Sequence, residues 1–311
     1  MHKRRGTVTR RWKVAAVAST VAVAIVVPVA VAQASTEPPE VSAKGAYLLD
    51  TGSDEELMAK DADTKRPIAS TTKIMAALVV LETKNVDLTK QVTVKQDYRD
   101  YVTKSEASTA DLQTGDKLTV NQLLYGMMLP SGCDAAMALA DTFGTGDTVA
   151  DRTKSFVSKM NAKAKDLGLT NTHYDSFDGV SASSDNYSTP REVAELTQRA
   201  MEHSSFETVV KSVSTKQEAP AANGRTRYYS WDNTNRLLGS YKGAIGVKTG
   251  TTTPAGPCLV FAAKRDGRTV VGVILNDAAD RYPDAQKMLD FAYDADTDMK
   301  LRKLPADAQR D

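Results

Sequence analysis

Apolar positions along this chain fall into three regimes. Val14 to Ala32 is apolar apart from Ser19 and Thr20. Further on, short apolar runs bounded by turn signals occupy both ends of the chain, and apolar residues at helical spacing occupy the middle. Ala46-Tyr47-Leu48-Leu49 and Glu56-Leu57-Met58-Ala59 flank a Thr51-Gly52-Ser53 turn, which predicts a hairpin. Ser70 to Leu81 predicts a helix with Ser70 as its cap and Ile74, Met75, Ala77, Leu78 and Val79 filling it. Thr119-Val120-Asn121-Gln122 is a capping box that opens a helix to about Met128. Gly132 to Phe143 and Thr148 to Leu167 predict two more helices, the second ended by Gly168. Thr189-Pro190-Arg191-Glu192 joins a cap to a proline at the first helical position, a strong start signal.

Strands return near the end. Ala244 to Lys248 predicts a short one, and Cys258 to Ala263 and Thr269 to Leu275 flank Asp266-Gly267, a good hairpin turn. Pro283 to Ala295 predicts an amphipathic helix with Met288, Leu289 and Ala292 on one face. Strands at both ends with helices between them predict an α+β fold whose antiparallel sheet is assembled from the two ends of the chain.

The N-terminal apolar run changes how charge is read. It follows six basic residues and no acid within residues 1–13, and it precedes Ala32-Gln33-Ala34. This predicts a secretory signal cleaved after Ala34, with residues 35–44 as a flexible lead-in. An uncleaved anchor is the alternative, because the run is nearly long enough to span a bilayer. The whole chain has 40 Lys+Arg and 39 Asp+Glu, so losing the six leaves 34 against 39. The mature chain is then mildly acidic, which argues against a nucleic-acid partner. Residues 45–299 suit one large domain or two intimately joined lobes. The tail, residues 300–311, has no apolar face, so a secreted, extracytoplasmic protein without a stable membrane anchor is expected.

Candidate chemistry is narrowed first by the histidines. His2 leaves with the signal, and only His173 and His203 remain. No Gly-x-Ser-x-Gly elbow accompanies them, and no spaced ligand set suggests zinc, so neither a metal nor another cofactor is expected. Ser70-Thr71-Thr72-Lys73 is the only Ser-x-x-Lys in the chain. At a helix start, positions i and i+3 share a face, so hydroxyl and amine can meet. A lysine beside Ile74 and Met75 loses solvation, which favours the neutral amine able to act as a base toward the serine. Taken alone, the pattern favours the plainer reading, a helix cap and a surface lysine.

Lys248-Thr249-Gly250 adds a carboxylate receptor: a cation and a hydroxyl, with a glycine permitting close backbone approach. The N–H groups of Thr251 and Ser70 can then serve an oxyanion. Ser131, after Pro130 in an interhelical loop, can relay a proton to a leaving amine. Cys133 is one of two cysteines and could be a nucleophile, half of a disulfide with Cys258, or a stand-in for another residue. It lacks a histidine at recognisable spacing, which weighs against a nucleophile, and a disulfide would require close approach of Cys258 on its strand. Arg281 could assist carboxylate binding but reads more simply as a solvated arginine.

Ser70-x-x-Lys73, Ser131-x-Cys133 and Lys248-Thr249-Gly250, in this order, resemble the motif set of the penicillin-recognising serine D,D-peptidases. The resemblance is strongest to the low-molecular-mass D-alanyl-D-alanine carboxypeptidase/transpeptidase group and covers nearly all of residues 41–295. It includes the stretches ASTTKIMAALVVLE, LLYGMMLPSGCDAAMALA, YSTPREVAEL and GVKTGTTTPAGPCLVFAAKRDG. It implies a two-lobed fold with a five-stranded antiparallel sheet and a mostly helical lobe. It also implies acylation of Ser70 by a peptidoglycan stem peptide ending in D-Ala-D-Ala, with β-lactams as inhibitors. Lys73 is then the base, Ser131 the relay, and Lys248 with Thr249 the grip on the terminal carboxylate. The family usually has Asn where Cys133 stands. A thiol hydrogen-bonds only weakly, so looser positioning of the substrate side chain is expected. Two rivals stay open: a class A-like β-lactamase, which needs a loop glutamate not evident in residues 165–190, and a non-catalytic penicillin-binding sensor.

Overall fold

A computed structural model describes residues 37–306, apart from 182 and 184, together with residue 308; the signal expected over residues 1–34 lies outside them. Strands β1 (Gly45–Asp50) and β2 (Glu55–Lys60) form the first hairpin, and a short β3 (Arg66–Pro67) leads into a 3₁₀ turn, Ala69–Thr72. Then come α1 (Lys73–Leu81), β4 (Gln91–Thr93), α2 (Gln96–Ser105), β5 (Lys117–Thr119), α3 (Val120–Met128), α4 (Cys133–Phe143) and α5 (Val149–Asp166). They are followed by β6 (Tyr187–Ser188), α6 (Pro190–Met201), α7 (Ser204–Val210) and the hairpin β7 (Ser214–Pro220) with β8 (Thr226–Asp232). The chain closes with β9 (Ala244–Thr252), β10 (Gly256–Arg265), β11 (Arg268–Leu275) and α8 (Arg281–Tyr293).

The main sheet has the order β2-β1-β11-β10-β9, with every neighbouring pair antiparallel, so the two ends of the sequence do meet in one sheet. Asp266 and Gly267 have φ of 51° and 82°, the paired positive values that a two-residue hairpin turn requires. Successive side chains point to opposite faces. Leu48, Phe261 and Ile274 therefore join Met288 and Leu289 of α8 on one face. Tyr47, Leu49, Val260 and Val271 join α1 and the helical lobe on the other. Because both faces are covered, these strands read as continuous apolar runs. Helix α1 is buried at all nine positions, which suits a helix apolar nearly all round. Two cap predictions appear as expected: Thr119 and Gln122 exchange bonds at α3, and Thr189 accepts from Glu192 N–H at α6.

Several boundaries differ from the sequence reading. Ser70 caps no helix: it lies in a 3₁₀ turn without any side-chain cap, and α1 begins only at Lys73. Strand β9 runs on to Thr252, through the Lys-Thr-Gly stretch, instead of stopping at Lys248. The lead-in is docked from Val41 onward: Val41 and Ala43 are buried, and the Ser42 amide and hydroxyl bond Asp284 and Asp277. Its single alternation of apolar and polar residues was too short to read as an element. In the tail expected to be polar, Arg302 donates to the carbonyls of Leu238 and Asn233.

Candidate active site

The turn carrying Ser70 is set by its backbone. Ala69 has a φ of 47°, and both the amide and the hydroxyl of Thr71 bond the Ile68 carbonyl. Two glycines let neighbours press against it. At Gly179 an added Cβ would stand 2.0 Å from the Ala69 oxygen, and at Gly250 it would stand 2.8 Å from the Ser70 nitrogen. The loop holding Gly179 and the edge strand β9 therefore close on the turn from two sides.

Lys73, one turn beyond, has no exposed surface. Its Nζ donates to Ser70 Oγ at 3.0 Å and to the Asp178 carbonyl at 2.9 Å, and lies 3.4 Å from Cys133 Sγ. The Asp178 carboxylate is occupied separately, by the Tyr101 hydroxyl at 2.8 Å and the Val180 amide at 3.0 Å. Burial, with the neighbouring Asp178 charge and hydrogen bond adding to it, raises the Tyr101 hydroxyl pKa far above its ordinary value.

Ser131 has a φ of 65° and is completely buried, and its Oγ has no hydrogen-bond partner among the described residues. Leaving a buried hydroxyl unpaired costs about 1–3 kcal/mol. Its loop is nevertheless firmly placed: Ser108 Oγ donates to the Ser131 carbonyl at 2.6 Å, and Thr234 N–H to the Leu129 carbonyl at 3.1 Å. The Asp134 carboxylate, also buried, takes the amides of Ala110 and Leu112 and the Thr109 hydroxyl, fixing the start of α4.

Cys133 departs from its expected place at the cleft surface. It is fully buried, and its thiol faces Lys73 and Ser108. Burial pushes the thiol pKa up to about 12; Asp178 adds to the rise and Lys73 opposes it. Both cysteines are buried, and no disulfide joins them. Cys133 is not expected to react with iodoacetamide in the native protein below about pH 10, whereas it should label after unfolding. Rapid native labelling of Cys133, read by peptide mass, would contradict this placement.

On β9, Lys248 is buried and donates to the Thr249 carbonyl at 2.9 Å, and the Thr249 hydroxyl lies 2.5 Å from that of Thr234. Arg281 is only 9% exposed, so it is not a solvated arginine. Its Nη1 donates to the Gly250 carbonyl at 3.1 Å, the Thr251 hydroxyl at 3.1 Å and the Cys258 carbonyl at 2.9 Å. It thus braces the outer end of the edge strand. Sequence reasoning singled out Ser70, Ser131, Lys73, Lys248 and Thr249–Thr251, but not Asp178, Tyr101 or Thr234, which the structure sets beside them. Asp178 serves Lys73 through a backbone carbonyl, which leaves no motif.

The histidines lie elsewhere. His173 pairs in a bridge with Tyr187 and bonds the Asp185 carbonyl at 2.7 Å, and His203 Nε2 is 3.3 Å from Glu82. Among the described residues, no three His, Cys, Asp or Glu side chains group as a metal site would require.

A buried lysine where other serine hydrolases use histidine, beside the edge strand of an antiparallel sheet, characterises the penicillin-recognising serine acyl-transfer enzymes. Comparison with known proteins agrees. The sequence profile of the D-alanyl-D-alanine carboxypeptidase peptidases matches residues 32–279. A D-alanyl-D-alanine carboxypeptidase of Streptomyces sp. is 49% identical over 258 residues, covering 82% of this chain and 88% of that protein. A D-alanyl-D-alanine carboxypeptidase of Bacillus subtilis is 30% identical, covering 81% of this chain and 62% of its own length. The crystal structure of a Streptomyces DD-transpeptidase superposes with a TM-score of 0.81 at 49% identity, covering 83% of this chain and 99% of that one. The chain belongs to the family of serine D-alanyl-D-alanine carboxypeptidases and transpeptidases, which work through an acyl-enzyme and bind β-lactams.

Proposed function

We propose that Ser70 is the nucleophile and that a peptidoglycan stem peptide ending in D-Ala-D-Ala is the substrate. The supporting observation is the 3.0 Å bond from Lys73 Nζ to Ser70 Oγ in a fully buried setting. Lys73 takes the hydroxyl proton as Ser70 Oγ attacks the carbonyl of the penultimate D-Ala. The amides of Ser70 and Thr251 hold the oxyanion. Lys248 and Thr249 grip the terminal carboxylate. Gly250 leaves room for β9 beside the nucleophile, and Thr251 is steadied by Arg281. Ser131, whose hydroxyl has no partner among the described residues, passes a proton to the departing D-Ala amine. Cys133 contributes by packing against Lys73 rather than by touching substrate. Water or an amine then resolves the ester.

Residues 165–190 contain no glutamate to activate a deacylating water, so a slow-clearing β-lactam adduct is favoured over rapid drug turnover. The enzyme acts outside the cytoplasm after cleavage at Ala34; no helix among the described residues is long and apolar enough to cross a membrane.

Intact-mass analysis after incubation with benzylpenicillin tests this reading. One stable adduct is expected, mapping to the peptide that holds Ser70 and disappearing in Ser70→Ala. The same spectrum reports whether the mature chain begins at Ser35. Absence of an adduct while the drug stays intact would sink the assignment; drug consumption without an adduct would move it to a β-lactamase.

A further inference from the structure

Lys73 is held by a residue that could also draw it away. Its Nζ divides its bonds between Ser70 Oγ and the carbonyl of Asp178. The N–H of the same peptide unit, that of Gly179, donates to Ser176 Oγ at 3.0 Å. The N–H and C=O of a trans peptide point to opposite sides, so Ser176 helps to aim the carbonyl at the lysine. The Asp178 side chain poses a different problem. It has no exposed surface. It also lies close to the lysine: after burial, its charge is what raises the Cys133 thiol most, and Lys73 Nζ is 3.4 Å from that sulfur. A buried carboxylate and a buried ammonium attract strongly. A carboxylate that swung onto Nζ would pull the lysine off Ser70.

The groups that hold the carboxylate are neutral. Oδ1 accepts the Val180 amide at 3.0 Å, from within the turn, and Oδ2 accepts the Tyr101 hydroxyl at 2.8 Å, from outside it. Burial, with Asp178 adding to it, raises the Tyr101 hydroxyl pKa far above its ordinary value, so the group stays a donor. Tyr101 is itself firmly placed. Its ring centroid lies 5.4 Å from that of Phe177. One turn back on the same face of α2, the Tyr98 hydroxyl donates to the Asp141 carboxylate of α4 at 2.5 Å. The two tyrosines therefore fasten α2 between α4 and the Asp178 turn. This helix buries only Tyr98. It adds little to the core, and what it gives the site is a hydroxyl on the Asp178 carboxylate.

We propose that Tyr101 is a positioning residue for acyl transfer: by occupying the Asp178 carboxylate it keeps Lys73 on Ser70 Oγ. The inference rests on the Ser70 and Lys73 roles proposed above. Without the hydroxyl, Oδ2 has no donor in a dry site, and the lysine beside it becomes the replacement partner. An amide at position 178 has no charge with which to draw the lysine. Its oxygen can accept the Val180 N–H, and its NH2 can donate to the Tyr101 oxygen.

The test follows benzylpenicillin adduct formation by intact mass against time in the parent, Tyr101→Phe, Asp178→Asn and the double variant. Tyr101→Phe keeps its ring against Phe177 and should acylate about tenfold more slowly, the scale of a sub-ångström displacement in an acyl-transfer site. Asp178→Asn should acylate close to the parent rate, and adding it to Tyr101→Phe should restore most of the lost rate. A merely structural defect would deepen in the double variant instead. Tyr101→Phe at the parent rate, Asp178→Asn as slow as Tyr101→Phe, or a double variant that is not rescued would each overturn the inference. Even if Tyr101→Phe alone fails to fold, a double variant matching Asp178→Asn supports the role, and one far slower overturns it. A parent adduct on the Ser70 peptide would assign such a failure to Tyr101 alone. A parent with no adduct would mean that the Ser70 reading had failed, and this inference with it.

Discussion

Lys73→Met is expected to slow acylation by benzylpenicillin by roughly three orders of magnitude, within the range that a positioned general base contributes. Methionine matches the stem of lysine closely enough to fill the same buried space, so the fold should persist. It removes the donor that reaches Ser70 Oγ at 3.0 Å and leaves the Asp178 carbonyl without that partner. The unpaired carbonyl costs about 1–3 kcal/mol of stability, which a thermal melt will separate from the kinetic effect. Adduct formation followed by intact mass against time gives the rate. A variant acylated within tenfold of the parent rate would show that the base is some other group.

Gly250→Ala is expected to cost about a hundredfold in the same rate, though alanine adds a single methyl group. That methyl would stand 2.8 Å from the Ser70 nitrogen, 3.1 Å from the Thr71 nitrogen and 3.2 Å from the Ala69 Cβ. Two of the three neighbours are backbone atoms of the nucleophile's own turn and cannot swing aside. Either β9 or the turn must retreat, which separates the Ser70 amide from the strand proposed above to supply the other oxyanion donor. Displacements of about 1 Å in an acyl-transfer site are worth on the order of 10²-fold. The loss should appear in the acylation rate more than in the melting temperature. An unchanged rate would mean that strand and turn are not coupled as described.

What was legible in the chain depended on how local the cause was. The hairpin at Asp266-Gly267 and the helix starts at Thr119 and Thr189 are written in adjacent residues, and each is where those residues put it. Helix α2 was missed because its ten residues bury only Tyr98, so no apolar stripe marks it. The β7–β8 hairpin was missed for a similar reason: β7 has one buried residue, Ala219, among seven. At the site, the chemistry-bearing side chains were legible because three short motifs carry them. Their surroundings were not. The carbonyl that holds Lys73 comes from 105 residues away, and Arg281 reaches Thr251 from the start of a different element. Cys133 was expected in the cleft because it stands where the resembling motif has an asparagine. One step along α4 turns its sulfur inward, toward the base.

The pairing of β1 with β11 has a consequence for how the chain comes into being. Gly45 lies opposite Leu275 and Asp50 opposite Val270, so the first strand made has its long-term neighbour among the last. At about 5–20 residues per second of synthesis, the wait is on the order of tens of seconds. During it Gly45–Asp50 has only β2 beside it, and an isolated two-stranded hairpin is marginal in water. Contacts so distant along the chain also form slowly once both partners exist. The nascent protein therefore spends its early life with an apolar strand edge open, and the hazard at that stage is pairing with the same edge of another copy.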